Sequence, residues 1–262
     1  MDHKGGNSAP IRVSKEIGRS FHSTLLVLLL MMAATGATAR DARAQQPPEP
    51  PSNKVTLAYY DFSSGTRGVD VNLRHTFTSM TGWIGVYHED DGFDQARVGY
   101  EYDYHSPWLM LVPSVQAATH DFVGATMYSE VGVRLFGIGG FGRTNLQPYW
   151  NLGFDPNDYV QVGAGYRDPA GNTIVAYAIH DDRLGTGQTN THVTFRRYLP
   201  DEWRLTVDVV SERGHGEGGI DVKNWAVSVD ADWHRWFVRV AEDPHVNYTA
   251  DHQVRVAGGC RF

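Results

Sequence analysis

The chain has only one cysteine, Cys260, among 262 residues, so no internal disulfide can form and a small disulfide-stapled fold is excluded. It has no apolar run long enough for a helical membrane span. The longest, residues 25–34 (LLVLLLMMAA), is about half of the ~20 residues such a helix needs. Basic residues are also scarce. Of 23 Lys+Arg and 30 Asp+Glu, residues 1–44 hold six and three, which leaves 17 against 27 and a net charge of −10 beyond them. That balance argues against a nucleic-acid partner, which wants a basic face. No cofactor fingerprint is present. Gly137, Gly139, Gly140 and Gly142 superficially resemble a phosphate loop, but Pro148 intervenes and no helix pattern follows, so a turn or bulge fits better.

The first segment has a logic of its own. Lys4, Arg12, Lys15 and Arg19 precede the apolar run, and the small-x-small sites Ala37-Thr38-Ala39 and Ala42-Arg43-Ala44 follow it. This order reads as a cleaved Sec signal peptide over 1–44. Residues 45–53 (QQPPEPPSN) are too proline-rich to join a sheet ladder and read as an extended tether. One domain is expected from 54 to 262.

That domain is a succession of short alternating runs. Val69-Asp70-Val71-Asn72-Leu73-Arg74 and Arg97-Val98-Gly99-Tyr100-Glu101-Tyr102-Asp103-Tyr104 alternate apolar and polar without a break. So do 128–135, 203–209 and 253–256. A period of two assigns each class to one sheet face. A water-soluble sandwich would alternate in the same way, and three further features favour a membrane barrel. The runs recur about every 15 residues and approach the ~9–11 residues of a tilted membrane strand. Aromatics crowd the strand ends (Trp83, Trp108, Trp150, Tyr159, Trp203, Trp225, Trp233 and Trp236), as girdles at two interfaces require. Connections alternate between short (78–82, 105–107, 168–172, 199–202) and longer, polar ones (88–94, 180–188, 212–219, 242–251). The fold expected is therefore all-β: a transmembrane, antiparallel, up-and-down β-barrel of about 14 strands, with 12 or 16 also compatible. The strands expected near its middle are 125–135 and 146–154, with 136–145 between them as a long turn or part of a strand. Pro113 and Pro148 are expected at bulges or strand starts.

In a barrel the charged face must point inward, because an arginine facing lipid near the midplane costs about 2–4 kcal/mol. The lumen-lining candidates are Asp70, Arg74, Arg97, Glu101, Asp103, Glu130, Arg134, Arg196, Arg204, Asp208, Asp230, Arg235, Arg239 and Arg255. Two arrangements are open: a water-filled channel with walls of mixed sign, or a narrow lumen plugged by Arg–carboxylate pairs. Arg235, Arg239 and Arg255 form an inward basic ladder, with Asp61 and Asp230 as the carboxylates to answer it.

The last eleven residues, HQVRVAGGCRF, place Val254, Val256, Gly258, Cys260 and Phe262 on one face and stop at an aromatic. This resembles the C-terminal β-signal of bacterial outer-membrane β-barrel proteins, a porin-like class. The resemblance covers the whole chain after the leader. Gly258 and Cys260 are less hydrophobic than the pattern prefers. It implies an outer-membrane location, contact with outer-membrane lipid and recognition by the barrel-assembly machinery, with Val254, Val256 and Phe262 as the assembly signal.

Three functions fit such a chain. The first is a passive pore or export channel for small polar solutes or saccharides. The second is a plugged structural or binding barrel at the cell surface that engages polysaccharide or a partner. The third is a lipid-modifying enzyme, for which His120 and Ser129 are scattered candidates without a local signature. The longer connections pair imidazole with carboxylate (His88 with 89–91, His180 with 181–182, His215 with Glu217, His245 with 242–243), the donor types of zinc, copper or calcium sites. None has tight ligand spacing, so a solvated rim is the simpler reading. No catalytic residue, metal or cofactor is assigned.

Overall fold

The computed structural model describes residues 52–262; the leader, and the tether up to residue 51, lie outside them. The described chain is almost entirely strand: β1 (Asn53–Phe62), β2 (Arg67–Phe77), β3 (Met80–Glu89), β4 (Asp94–Tyr102), β5 (Tyr104–His105), β6 (Leu109–Ala118), β7 (Phe122–Gly132), β8 (Leu135–Thr144), β9 (Tyr159–Arg167), β10 (Thr173–His180), β11 (Thr189–Tyr198), β12 (Trp203–His215), β13 (Asp221–Trp233), β14 (Trp236–Asp243) and β15 (Gln253–Arg261). Every pairing is antiparallel and nearly all join sequence neighbours. The two-residue β5 continues β4 in one register against β6, with Glu101 opposite Ser114 and Tyr104 opposite Leu111. The interruption falls beside Pro113, which has no N–H to give the ladder. With β4 and β5 as one stave, fourteen staves close into a ring where β1 meets β15, Lys54 lying opposite Arg261 and Phe62 opposite Gln253.

The connections segregate by length. At one end lie 78–79, 106–108, 133–134, 168–172, 199–202 and 234–235, together with Phe262 and the start of β1. At the other lie 63–66, 90–93, 119–121, 145–158, 181–188, 216–220 and 244–252. The short and long connections of the sequence reading fall at opposite ends, as expected of an up-and-down barrel. The first turn is tight enough to need a left-handed residue, and Gly65 at φ 94° supplies it.

Alternation separates two solvents. Leu57, Leu73, Ile84, Val86, Val98, Val162 and Val193 point outward and are left bare, an apolar band that water would not tolerate and lipid would. Near the short-turn end the band is bordered by Tyr102, Tyr104, Trp108, Trp203, Trp233, Trp236 and Phe262, all exposed. Trp203 and Trp233 face each other across β12 and β13 and stack at 5.9 Å. Three aromatics expected in girdles are elsewhere. Trp83 and Tyr159 point inward from β3 and β9, and Trp150 lies in the 145–158 connection.

The central strands also shift. The segment expected at 125–135 is β7, three residues earlier. The glycine-rich stretch forms β8, while 146–154 is no strand. The glycines have a packing role there. A side chain at Gly142 would collide with the Tyr159 ring, and one at Gly140 with the Met127 carbonyl. The expected strand carries Pro148, without an N–H, and Leu146 at φ 61°, both unsuited to a ladder.

Candidate functional site

The lumen face is a set of paired charges. Asp70 on β2 accepts from the Arg97 guanidinium of β4 at 2.7 Å, with both side chains nearly buried. Arg74 reaches Glu101 at 3.3 Å, and Arg167 reaches Glu130 at 2.9 Å. The Tyr128 hydroxyl also donates to Glu130, at 2.9 Å. Asp232 takes Arg204 at 2.9 Å and Arg261 at 2.6 Å. Arg239 pairs with Asp230, the carboxylate expected to answer it. Asp208 accepts from Thr194 at 2.8 Å and contacts His192 at 2.9 Å. The ion pairs join strands that the sequence separates by a hairpin or more, so the parity of single strands brings them to one face and, apart from Asp230 for Arg239, does not reveal the partner.

Other candidates lie apart from these pairs. Arg196 points inward and donates to the Thr206 hydroxyl at 3.4 Å. Asp103 occupies the break between β4 and β5. Arg134 and Arg235 are not on the wall. They occupy the turns 133–134 and 234–235, exposed, where the strands have already reversed. Asp61 points outward with Arg67 at 3.8 Å and answers no lumen arginine. Val254 and Val256 lie on the outer face, and the Phe262 amide donates to the Asn53 carbonyl at 3.0 Å, closing the ring. His120 and Ser129 are not brought together. His120 stacks on Phe93 in a long-loop-end turn, while Ser129 donates to the Gly139 carbonyl on β8. The loop histidines also disperse: His88 pairs with Asp94, His215 with Asp221, and His245 with the Thr249 carbonyl. Among the described residues no group of three His, Cys, Asp or Glu could hold a metal ion.

The dominant feature of the lumen is one the sequence reading missed. The connection 145–158 runs inward and is fastened to walls all around the ring. On the β4 side, Trp150 N–H donates to Gln95 Oε1 at 2.9 Å, and Gln95 Nε2 returns a bond to the Trp150 carbonyl at 3.1 Å. On the β15 side, Arg255 donates to the Leu152 carbonyl and its guanidinium lies 5.8 Å from the Phe154 ring centre. On the β11 side, His192 Nε2 lies 2.8 Å from Asp155 while its Nδ1 faces Asp208, and Asn190 donates to Asp155 at 3.2 Å. A ring with a carboxylate at each nitrogen donates on both sides, as an imidazolium. Arg183 fastens Asp158 at 2.7 Å. Trp150 and Leu152 pack on the cluster of Tyr60, Phe62, Tyr87 and Val246. The 244–252 connection adds a second inward contact: Asn247 donates to the Asn151 carbonyl at 3.1 Å and Tyr248 to Asn190.

Burial pushes the Tyr149 and Tyr248 hydroxyls above their ordinary range, so both stay neutral donors. Asp181 at the rim is pulled the other way. Burial raises it, but the Thr186 hydroxyl and the amides of Arg183 and Leu184 outweigh burial and hold it below the usual carboxylate range.

The inward connection separates two hollows. One, of about 500 Å3, opens at the long-loop end and is lined by Thr144, Gln147, Trp150, Asp155, Asp181 and Tyr248 among others. The second, of about 210 Å3, lies on the short-turn side against β1, β2, β14 and β15 and includes Lys54, Arg74, Arg239 and Arg255. They share no lining residue. The contacts that sequence reasoning missed join residues far apart, such as Gln95 with Trp150 and Arg255 with Leu152. Lys54 and Arg261 were findable, since they share inward parity with Ala58 and Arg255.

No family model matches the chain, and no curated protein matches it in sequence. Solved structures do. The outer membrane protein Omp33 of Acinetobacter baumannii aligns with a TM-score of 0.50 at 7% identity, over 81% of this chain and 99% of that one. The NanC porin gives 0.45 at 8% identity, over 79% and 100%. The KdgM porin gives 0.43 at 10%, over 80% and 99%. At such identities the likeness is one of fold: the closed ring of fourteen antiparallel staves is an up-and-down β-barrel, and Omp33 has a similar one.

Proposed function

We propose that the chain is a passive, non-enzymatic pore of a bacterial outer membrane for small polar solutes, constricted by its own 145–158 connection. The observation that carries this reading is the lumen. A fourteen-stave ring is wider than the eight strands whose side chains fill their own interior. Its wall is lined with ion pairs, and a segment of the chain is needed to narrow it. That segment is held by polar clamps at Gln95, His192 and Arg255. Polar clamps exchange with water at modest net cost, whereas an apolar core does not. The long connections then face the cell exterior, the short turns face the periplasm, and residues 1–44 are the export leader. The binding-barrel reading draws on one specific observation: Trp150 and Leu152 pack against the Tyr60–Phe62 cluster between two hollows that share no lining. Liposome swelling decides between the two. Vesicles carrying the folded protein are expected to swell in small sugars at rates that fall with sugar size. Swelling no faster than in protein-free vesicles overturns the pore and leaves the plugged barrel.

A further inference from the structure

The short-turn hollow has an excess of positive charge at its mouth. Lys54 lies directly opposite Arg74 on β2 and directly opposite Arg261 on β15, so three inward cations form one row across adjacent strands. Like charges in facing register repel. The two flanking guanidiniums are answered, Arg74 by Glu101 and Arg261 by Asp232. Arg239, further in, has Asp230. Lys54 has no carboxylate within ion-pair distance among the described residues. Its ammonium rests 4.5 Å from the centre of the Phe237 ring, which also carries the Arg261 guanidinium at 4.9 Å.

The surroundings of this row are hollow and polar. One register step inward, Thr56 faces Asn72, and no hydrogen bond engages either side chain among the described residues. Beyond them Ala58 and Ala257 face each other with side chains too short to fill the space. The result is the 210 Å3 hollow, with Lys54 at one end and the unengaged hydroxyl and amide of Thr56 and Asn72 beside it. A half-buried ammonium without a counter-charge, flanked by cations, favours a bound anion. Open donors and acceptors one step away favour hydroxyls on that anion.

We propose that this hollow is a binding site for a small hydroxylated carboxylate, of the size and chemistry of a sugar acid. Lys54 takes the carboxylate, and Thr56 and Asn72 take its hydroxyls. Arg74 and Arg239 add attraction without giving up their own partners. The site rests on the pore reading only in that solvent must reach the lumen from the short-turn end.

The test is calorimetry on the full folded barrel in detergent, with gluconate, acetate, glucose and inorganic phosphate as probes. Gluconate is expected to bind saturably and more tightly than the other three. Lys54→Gln is expected to weaken gluconate about tenfold, the scale of losing a charge-assisted hydrogen bond. Lys54→Arg keeps the charge and is expected to keep most of the binding, which separates loss of charge from damage to the fold. Thr56→Val is expected to weaken gluconate while leaving acetate unchanged. Gluconate binding that survives Lys54→Gln overturns the site. Phosphate or acetate binding as tightly as gluconate overturns the hydroxyl recognition. Gluconate binding in a protein that passes no solute keeps the site and removes the pore; solute flux without gluconate binding does the reverse.

Discussion

Replacing Asp155 by alanine should loosen the inward connection without touching the barrel wall. Asp155 holds the segment to β11 through His192 at 2.8 Å and Asn190 at 3.2 Å. Hydrogen bonds to charged groups contribute about 1.5–3 kcal/mol net, and the Asn190 contact is long, so the loss is about 2–3 kcal/mol. His192 keeps Asp208 and stays paired. The Gln95, Arg255 and Arg183 clamps remain, so the segment still docks but opens more often. A penalty of this size raises the opening constant roughly 30- to 150-fold. The Trp150 amide reports that opening, because its partner is Gln95 on the opposite wall and no local acceptor replaces it. Native-state hydrogen exchange should show Trp150 exchanging faster by that factor, with amides of β12 and β13 unchanged. A Trp150 rate within about threefold of wild type would refute the clamp, as its opening would not then depend on Asp155.

Three further outcomes are expected. Asp70→Asn leaves the Arg97 guanidinium, already with an unpartnered Nη1, buried without its counter-charge, a loss of about 3–5 kcal/mol that urea unfolding in detergent should register; less than 1 kcal/mol contradicts the pairing. Asp181 is depressed below the ordinary carboxylate range, so its stabilisation is complete above its unfolded value and disappears only as pH falls through the lowered one; limited proteolysis of 181–188 should stay slow at mildly acidic pH, and Thr186→Val should move the onset of cleavage to higher pH. Phe262→Asp puts a charge at the lipid-facing end of the closing strand and should deplete heat-modifiable protein from outer membranes, with normal yield counting against an assembly role.

Much of the barrel was legible in the sequence because a period of two is local. Asp70, Arg97, Glu101, Asp208 and Arg239 alternate with Val, Tyr and Ala, and a single strand suffices to assign their face. Turns were less legible, since Arg134 keeps the parity of β7 one step after that strand has ended and Arg235 that of β14 one step before it begins. The 135–158 region misled because glycines read as breakers in isolation. In β8 they make room for the Tyr159 ring, a need set by another strand. Trp83 read as an interfacial girdle residue, yet it lies inside beneath Arg74, whose guanidinium is 5.0 Å from its ring centre. The constriction itself was illegible. Gln95 with Trp150, His192 with Asp155 and Arg255 with Leu152 meet only after closure, and no periodicity encodes pairs so far apart.

The central claim is that the lumen is a path which residues 145–158 narrow. The most direct test is single-channel recording in planar bilayers, for wild type and Asp155→Ala, in a potassium chloride gradient. Discrete current steps are expected from wild type, with larger or longer openings in the variant and a reversal potential on the anion side, set by the unanswered charge of Lys54. No current from either protein, with both correctly folded by heat-modifiable mobility, would contradict the account.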